Sequence, residues 1–414
     1  MGKTAAHFLV VATTLLAVAV GCSQQQQDRA AVPKPTAGPV VRVKLLSDQK
    51  QVTLTATQPP VLRTASNPAG ARVNMPPGEA VTLTLAPTGW QLGAATFGPG
   101  ELTVVPAADG AVAVNGKPYR GKYRFVPSAG AAGGFDVIND VDIDGYLKSV
   151  VPREMFPDWH VEAYKAQAIV ARTYAIYEAK TSGGQTWDLY NDTRSQVYGG
   201  LASESAKAQQ AVDETSGVVV AHGPAGKEKI FKAYFSACCG GVSQSAWDAF
   251  GDAYSVPLSE RNVGPVCNIA PRFNWGPIVV RKDELARRFR HWGGAKNRPE
   301  RNIGMVQTIA VSASNRYGRP VRYEVTDARG TRYSWRSEEL RWAVNADAAK
   351  GSTLNSSFCK IVDEGDSIRF LEGHGHGHGV GMCQWCAQAR ALSGWPHENI
   401  VLSSFPATKL VRAY

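Results

Sequence analysis

Between Val161 and Lys180 the chain reads VEAYKAQAIVARTYAIYEAK, an alanine-rich run with no glycine or proline. Alanine loses no side-chain freedom in a helix, and nothing in the run breaks one. The segment therefore predicts a helix of about five turns, around which the rest must be arranged. Residues 41–135 read differently. Val52-Thr53-Leu54-Thr55 and Val81-Thr82-Leu83-Thr84-Leu85 alternate apolar with polar residues, and turn clusters at Asn67-Pro68, Pro76-Pro77-Gly78 and Asn115-Gly116 separate such segments, as short strands require. The run from Asp136 to Ile143 alternates like one more half-buried strand. Further on the pattern predicts a helix over Ser203–Glu214, β segments at Val218–Val220 and Phe231–Phe235, and a short basic helix over Val279–Trp292. A hairpin pairing Val306–Ala313 with Val321–Thr326, a strand at Thr331–Trp335 and a last helix from Cys383 to Leu392 follow. The expected class is α+β: a β-rich N-terminal lobe (41–135) and a catalytic region (136–414) built around the long helix. A further β-containing lobe is expected inside that region, as an insert at about 279–345.

The start of the chain bears on location. Lys3, the apolar run from Phe8 to Val20 and then Gly21-Cys22 form a secretory signal whose apolar run is too short to span a membrane. A small residue directly before a cysteine resembles the lipobox of bacterial lipoproteins. Residues 1–22 then read as a lipoprotein signal peptide with Cys22 as the lipidation site, and 23–40 as a polar, proline-bearing tether. Ordinary signal cleavage nearby, with Cys22 incidental, explains the same residues. Either way the mature chain is exported, and lipidation would add a membrane anchor facing the periplasm or cell wall. The net charge of +10 favours acidic partners. No zinc-finger, helix-turn-helix or aromatic RNA-binding motif accompanies it, so nucleic acid is not expected as a partner.

Pro152-Arg153-Glu154-Met155-Phe156-Pro157 sets one carboxylate between prolines and beside apolar side chains. Apolar neighbours disfavour the charged form, and a carboxyl kept protonated near neutral pH is what a glycosidic leaving oxygen needs. A solvated turn glutamate paired with Arg153 accounts for the same residues. Lys165 and Arg172, seven apart on the helix, project from nearly one face. They offer cations towards a site or simply form a solvated face.

From Asp144 to Tyr177 the chain carries Tyr146-Leu147, Val150-Val151-Pro152, Glu154-Met155, Glu162-Ala163, Lys165-Ala166-Gln167-Ala168 and Ala171-Arg172-Thr173-Tyr174-Ala175. Asp192–Gly199 (DTRSQVYG), Ala233–Gly241 (AYFSACCGG), Arg319-Pro320-Val321, Glu339-Leu340-Arg341, Gly377–Trp385 (GHGVGMCQW) and Phe405–Thr408 follow in order. In this series the chain resembles the SpoIID/LytB family of stage II sporulation proteins and amidase enhancers over residues 120 to 414. The resemblance implies lytic transglycosylase action on peptidoglycan glycan strands, with Glu154 as acid and then base and with no cofactor required. One carboxylate suffices for that chemistry, because the muramic acid 6-hydroxyl attacks its own anomeric carbon and leaves a 1,6-anhydro end. Ordinary glycosidases need two. Lys165, Arg172, Ser195, Gln196, Tyr198, His378 and Gln384 would then bind substrate or orient Glu154, with His374 and His376 peripheral. Some family members are enhancers of a separate N-acetylmuramoyl-L-alanine amidase. The alternative reading is therefore a non-catalytic wall-binding partner of such an amidase.

Six cysteines follow Cys22: Cys238, Cys239, Cys267, Cys359, Cys383 and Cys386. Cys238, Cys239, Cys267 and Cys383 form a candidate tetrahedral zinc set, with Cys386 at C-x-x-C spacing from Cys383. Disulfides or free thiols in an exported chain remain the competing explanation, and spacing cannot choose.

Overall fold

The structure, a computed structural model, describes residues 38–128 and 133–414. The signal peptide, Cys22 and most of the tether lie outside the described residues. No helix among the described residues is long and apolar enough to cross a membrane.

Strand Val40–Gln49 alternates buried and less buried residues, so Val41, Val43 and Leu45 face inward. It pairs antiparallel with Phe135–Asp142, which pairs in turn with Lys122–Pro127. These strands belong to a seven-stranded sheet, and a six-stranded sheet is built on Gln51–Ala56, Val81–Ala86 and Val112–Val114. The class is α+β, as the sequence predicts. The change of character at Asp136 falls inside the shared strand Phe135–Asp142, and a single apolar core runs from Val41 to Phe405.

Eight helices are described. The first, α1 (Ile143–Glu154), starts where Asp142 accepts a hydrogen bond from Gly145 N at 2.8 Å, and it carries Pro152 in its last turn. Sequence reasoning did not predict this helix; Pro152 stands in its last turn, where its missing N–H removes one i→i−4 bond. The long helix α2 (Val161–Thr181) forms as expected. His160 caps it, and thirteen of its residues from Ala163 to Ile176 are buried, including polar Gln167, Arg172 and Thr173. A helix buried on nearly every side is a core element rather than the wall of a groove. Against it pack α3 (Ala206–Glu214), α7 (Gln384–Leu392) and α8 (His397–Ser404), while α4 (Ala246–Phe250) lies further off.

The remaining helices, α5 (Lys282–Ala295) and α6 (Ser337–Asn345), belong to a lobe with its own core of Leu285, Phe289, Trp335, Leu340 and Phe370. This lobe reaches past residue 345. Its first strand, Ile278–Arg281, pairs with Ser367–Leu371, a non-local partner that local pattern could not reveal. For the same reason the basic helix begins at Lys282 and not at Val279. The chain enters and leaves the lobe through adjacent strands, Asn274–Trp275 and Gly373–His374. Arg319 then fastens the lobe to the rest by donating to the carbonyls of Cys239 (3.2 Å), Val242 (2.7 Å) and His378 (3.2 Å).

Candidate functional site

Glu154 is the last residue of α1, and the chain turns extended at Met155 (φ −123°, ψ 148°). The Glu154 side chain is half-buried. Its Oε1 accepts a bond from Val197 N at 3.3 Å. Gln384, the first residue of α7, donates its amide to the Glu154 main-chain carbonyl at 3.0 Å and to Gln167 Oε1 at 3.4 Å. Gln167 is fully buried on α2, and its own Nε2 has no partner among the described residues. Burial pushes the Glu154 carboxyl above the usual carboxylate range, against opposing pulls from the Val197 N–H, the Gln384 amide and the Arg153 charge.

The segment after strand Leu189–Tyr190 supplies the floor. Ser195 Oγ accepts from Tyr190 N at 3.1 Å. Gln196 is buried, accepting from Tyr146 OH (3.1 Å) and donating to Ala171 O (3.4 Å). Tyr198 is buried as well, bonded to Asn139 at 2.9 Å and packed between Tyr119 and Tyr146. Gln196 and Tyr198 thus point inward and aim the backbone N–H of Val197 at Glu154. Sequence reasoning named the side chains on either side and missed the amide between them.

Lys165 and Arg172 do not reach Glu154. Lys165 pairs with Glu162 (2.7 Å) and with Glu214 (2.6 Å) at the end of α3. Arg172 is fully buried; it grips Asp144 of α1 at 2.9 Å and donates to the carbonyls of Val212 (3.2 Å) and Val218 (3.1 Å). The two do project from one side of α2, but the helix turns that side to α1 and α3.

The glycine-histidine loop runs against the protein itself. Gly375, Gly377, Gly379 and Gly381 all have positive φ, and a Cβ on Gly381 would lie 2.1 Å from Tyr234 O. These glycines let the loop approach the Tyr234–Gly240 segment, where a side chain would clash. His378 packs edge-on to Phe250 (5.2 Å) and Tyr234 (5.9 Å), and its Nδ1 accepts from Val380 N at 3.0 Å. Burial pulls its pKa down to about 4 despite Glu338 nearby, so it is neutral at pH 7. Its described contacts do not touch Glu154. His374 and His376 meet other partners: Asn274 at 2.9 Å and Arg272 at 3.3 Å.

Next to Gln384 lies a buried thiol cluster. The Sγ atoms of Cys239, Cys267, Cys383 and Cys386 all lie within 4.8 Å of one another. Cys239 Sγ is 3.6 Å from Cys267 Sγ and 3.8 Å from Cys386 Sγ. Four sulfurs each about 2.3 Å from a zinc stand about 3.8 Å apart, so the spacing suits a tetrahedral ion held by four cysteines. The backbone N–H groups of Cys239 and Cys386 both point at Cys383 Sγ, at 3.3 Å, as they would toward a thiolate. None of the six described cysteines is in a disulfide. The expected set needs one correction, Cys386 in place of Cys238. The mutually close set is Cys239, Cys267, Cys383 and Cys386, and Cys238 falls outside it. Cys238, held by extended pairing with His376, packs at the edge of the cluster beside Cys267 and Cys383, while Cys239 enters it.

A surface cavity of about 710 Å³ lies in the lobe between Thr308–Val311 and Cys359–Ile361. Neither Glu154 nor the thiol cluster lines it. Residues 131–222 match the SpoIID family, described as stage II sporulation protein. An uncharacterized protein of Brachyspira hyodysenteriae is 33% identical over 281 residues, which cover 67% of this chain and 68% of that protein. A protein of Bacillus subtilis named Amidase enhancer is 25% identical over 303 residues, covering 64% of this chain and 40% of its own length.

Proposed function

Because the chain belongs to the SpoIID/LytB family, we propose that it cleaves peptidoglycan glycan strands as a lytic transglycosylase. A cell-wall-related function follows from the family. The finer reading rests on one observation: a half-buried carboxyl at the end of α1, held by the Val197 N–H and raised above its usual range by burial.

The protonated Glu154 gives its proton to the glycosidic oxygen as the bond from the muramic acid anomeric carbon to that oxygen breaks. The resulting carboxylate accepts the proton of the 6-hydroxyl as O6 bonds to the same carbon. The glycan is left with a 1,6-anhydro end, Glu154 is again protonated, and no water is consumed. The Val197 N–H steadies the carboxylate between the two steps.

The four thiols would hold zinc as a structural ion. With four thiolates bound, no coordination position remains for water or substrate, and the ion would crosslink residues 239, 267, 383 and 386. Arg261 is half-buried near the thiols and supplies positive charge beside them. The ligands Cys383 and Cys386 flank Gln384 and Trp385, so the cluster would fix the N-terminus of α7 where it meets Glu154. Attachment to a membrane through a lipid on Cys22 is part of the same proposal, with the work done outside the cytoplasm.

A second reading is carried by the name of the Bacillus relative: a wall-binding enhancer of an amidase. Mass spectrometry of products from purified glycan strands separates the two. Anhydro-muramic ends support the transglycosylase, and reducing ends alone would move the protein to the hydrolases. Intact strands, with stimulation of an added N-acetylmuramoyl-L-alanine amidase, would favour the enhancer.

A further inference from the structure

Beside Glu154 stands an aromatic surface that the cleavage step leaves unused. Phe156 follows Glu154 by two residues, and its ring meets Trp385, the neighbour of the Gln384 whose amide bonds the Glu154 carbonyl. Phe156 is 55% exposed, although its neighbours Trp159 and Met155 are buried. Its ring lies 5.3 Å from Trp159 and 5.8 Å from half-buried Trp385, and those two are 4.7 Å apart.

A lone exposed phenylalanine is ordinary on a protein surface. This one is held in place. Tyr164 OH and Trp159 N both donate to its carbonyl, at 3.0 and 3.1 Å. Lys207 Nζ donates to the carbonyls of Pro157 (2.6 Å) and Trp159 (2.8 Å), and His160 N donates to Gln388 at 2.9 Å. Three hydrogen-bonded side chains therefore fix the backbone here, and a pair of tryptophans backs a ring whose outer face meets water. Contiguous apolar surface kept rigid beside a carboxyl of raised pKa is the composition of a ligand site.

The ligand must offer one apolar face and polar edges. A pyranose does: its ring C–H groups form a flat apolar face, while its hydroxyl and acetamido groups stay at the rim in water. We propose that Phe156, backed by Trp159 and Trp385, is a sugar-stacking subsite that holds one β-linked N-acetylhexosamine ring next to the bond Glu154 cleaves. The proposal rests on the glycan-cleaving reading for its placement, but its binding step is independent of cleavage.

The test therefore uses the full chain carrying Glu154→Gln, titrated with soluble β-1,4-linked N-acetylglucosamine oligomers and followed by tryptophan fluorescence and calorimetry. Binding is expected to perturb tryptophan emission. Adding Phe156→Ala should weaken binding about tenfold or more, and adding Phe156→Tyr should keep it. Melting curves of all three variants separate lost binding from lost fold. Equal affinity in a folded Phe156→Ala protein, or no oligomer binding by the Glu154→Gln protein, would overturn the subsite. Cleavage by a Phe156→Ala enzyme with unchanged KM sinks the subsite and leaves the transglycosylase. Phe156-dependent binding in a parent chain that cleaves nothing does the reverse.

Discussion

The side-chain amide of Gln384 donates to the main-chain carbonyl of Glu154 at 3.0 Å, joining two residues 230 apart in the chain. The bond occupies a carbonyl at the end of α1 that no helical partner can satisfy, and it fixes where the carboxyl stands. Gln384→Ala is expected to lower glycan cleavage by about tenfold and to reduce stability by about 1–3 kcal/mol, the usual cost of an unsatisfied buried group. Gln384→Glu should not rescue it, since a carboxylate cannot donate. A parental rate and Tm in both variants would remove Gln384 from the site.

Glu154→Gln is expected to cut cleavage by about a hundredfold or more, because the amide keeps the shape and loses the titrating proton. Stability should move the other way. The folded-state pKa of Glu154 is raised by burial, so its contribution is fully present below the unfolded carboxylate value. That contribution is lost as pH rises through the folded value. The parent should therefore lose stability relative to Glu154→Gln across that window, and thermal melts from about pH 4 to pH 8 measure it. A parent that gains stability relative to Glu154→Gln as pH rises contradicts the assignment.

Arg172 should behave as a structural ion pair. Removing it leaves Asp144 without its buried cationic partner and takes a donor from two carbonyls, so Arg172→Ala is expected to cost about 3–5 kcal/mol. Arg172→Lys should recover only part, because an ammonium cannot make the forked contact. Denaturant unfolding reads this. A variant of parental stability with a raised KM would return Arg172 to the substrate.

The thiol cluster predicts one zinc per chain by elemental analysis, bound by the parent and by Cys238→Ser and lost in Cys386→Ser and Cys239→Ser. Removing the metal should lower Tm, since metal affinity here adds to folding free energy. Zinc retained in Cys386→Ser, or lost in Cys238→Ser, would overturn the ligand set.

The legible and illegible parts of this chain divide along one line. Periodicity and composition are local, and they suffice to place α2 and the hairpin Val306–Ser314 with Pro320–Asp327, whereas Glu154 stands out through the motif series that resembles the family. Partnership between distant residues is not local. That Val279 belongs to a strand depends on Arg369, that Cys386 replaces Cys238 depends on which sulfurs converge, and that Arg172 is internal depends on α3 covering it. The Val197 amide carries no side-chain signature at all. In sequence Phe156 reads only as an apolar neighbour able to raise the carboxyl's pKa; its exposure is a property of the fold.

The antiparallel pairing of Trp275 with Gly373 has a consequence for how such a chain can change. The two ends of the lobe are already neighbours, and the free energy of closing a loop grows only logarithmically with its length. Segments can be gained or trimmed between them with little strain passed to the strands that carry them. Size variation should therefore collect in this lobe, provided Arg319 or a substitute still reaches the His378 carbonyl. The Glu154 side of the molecule would keep its spacing while the lobe takes on new surfaces.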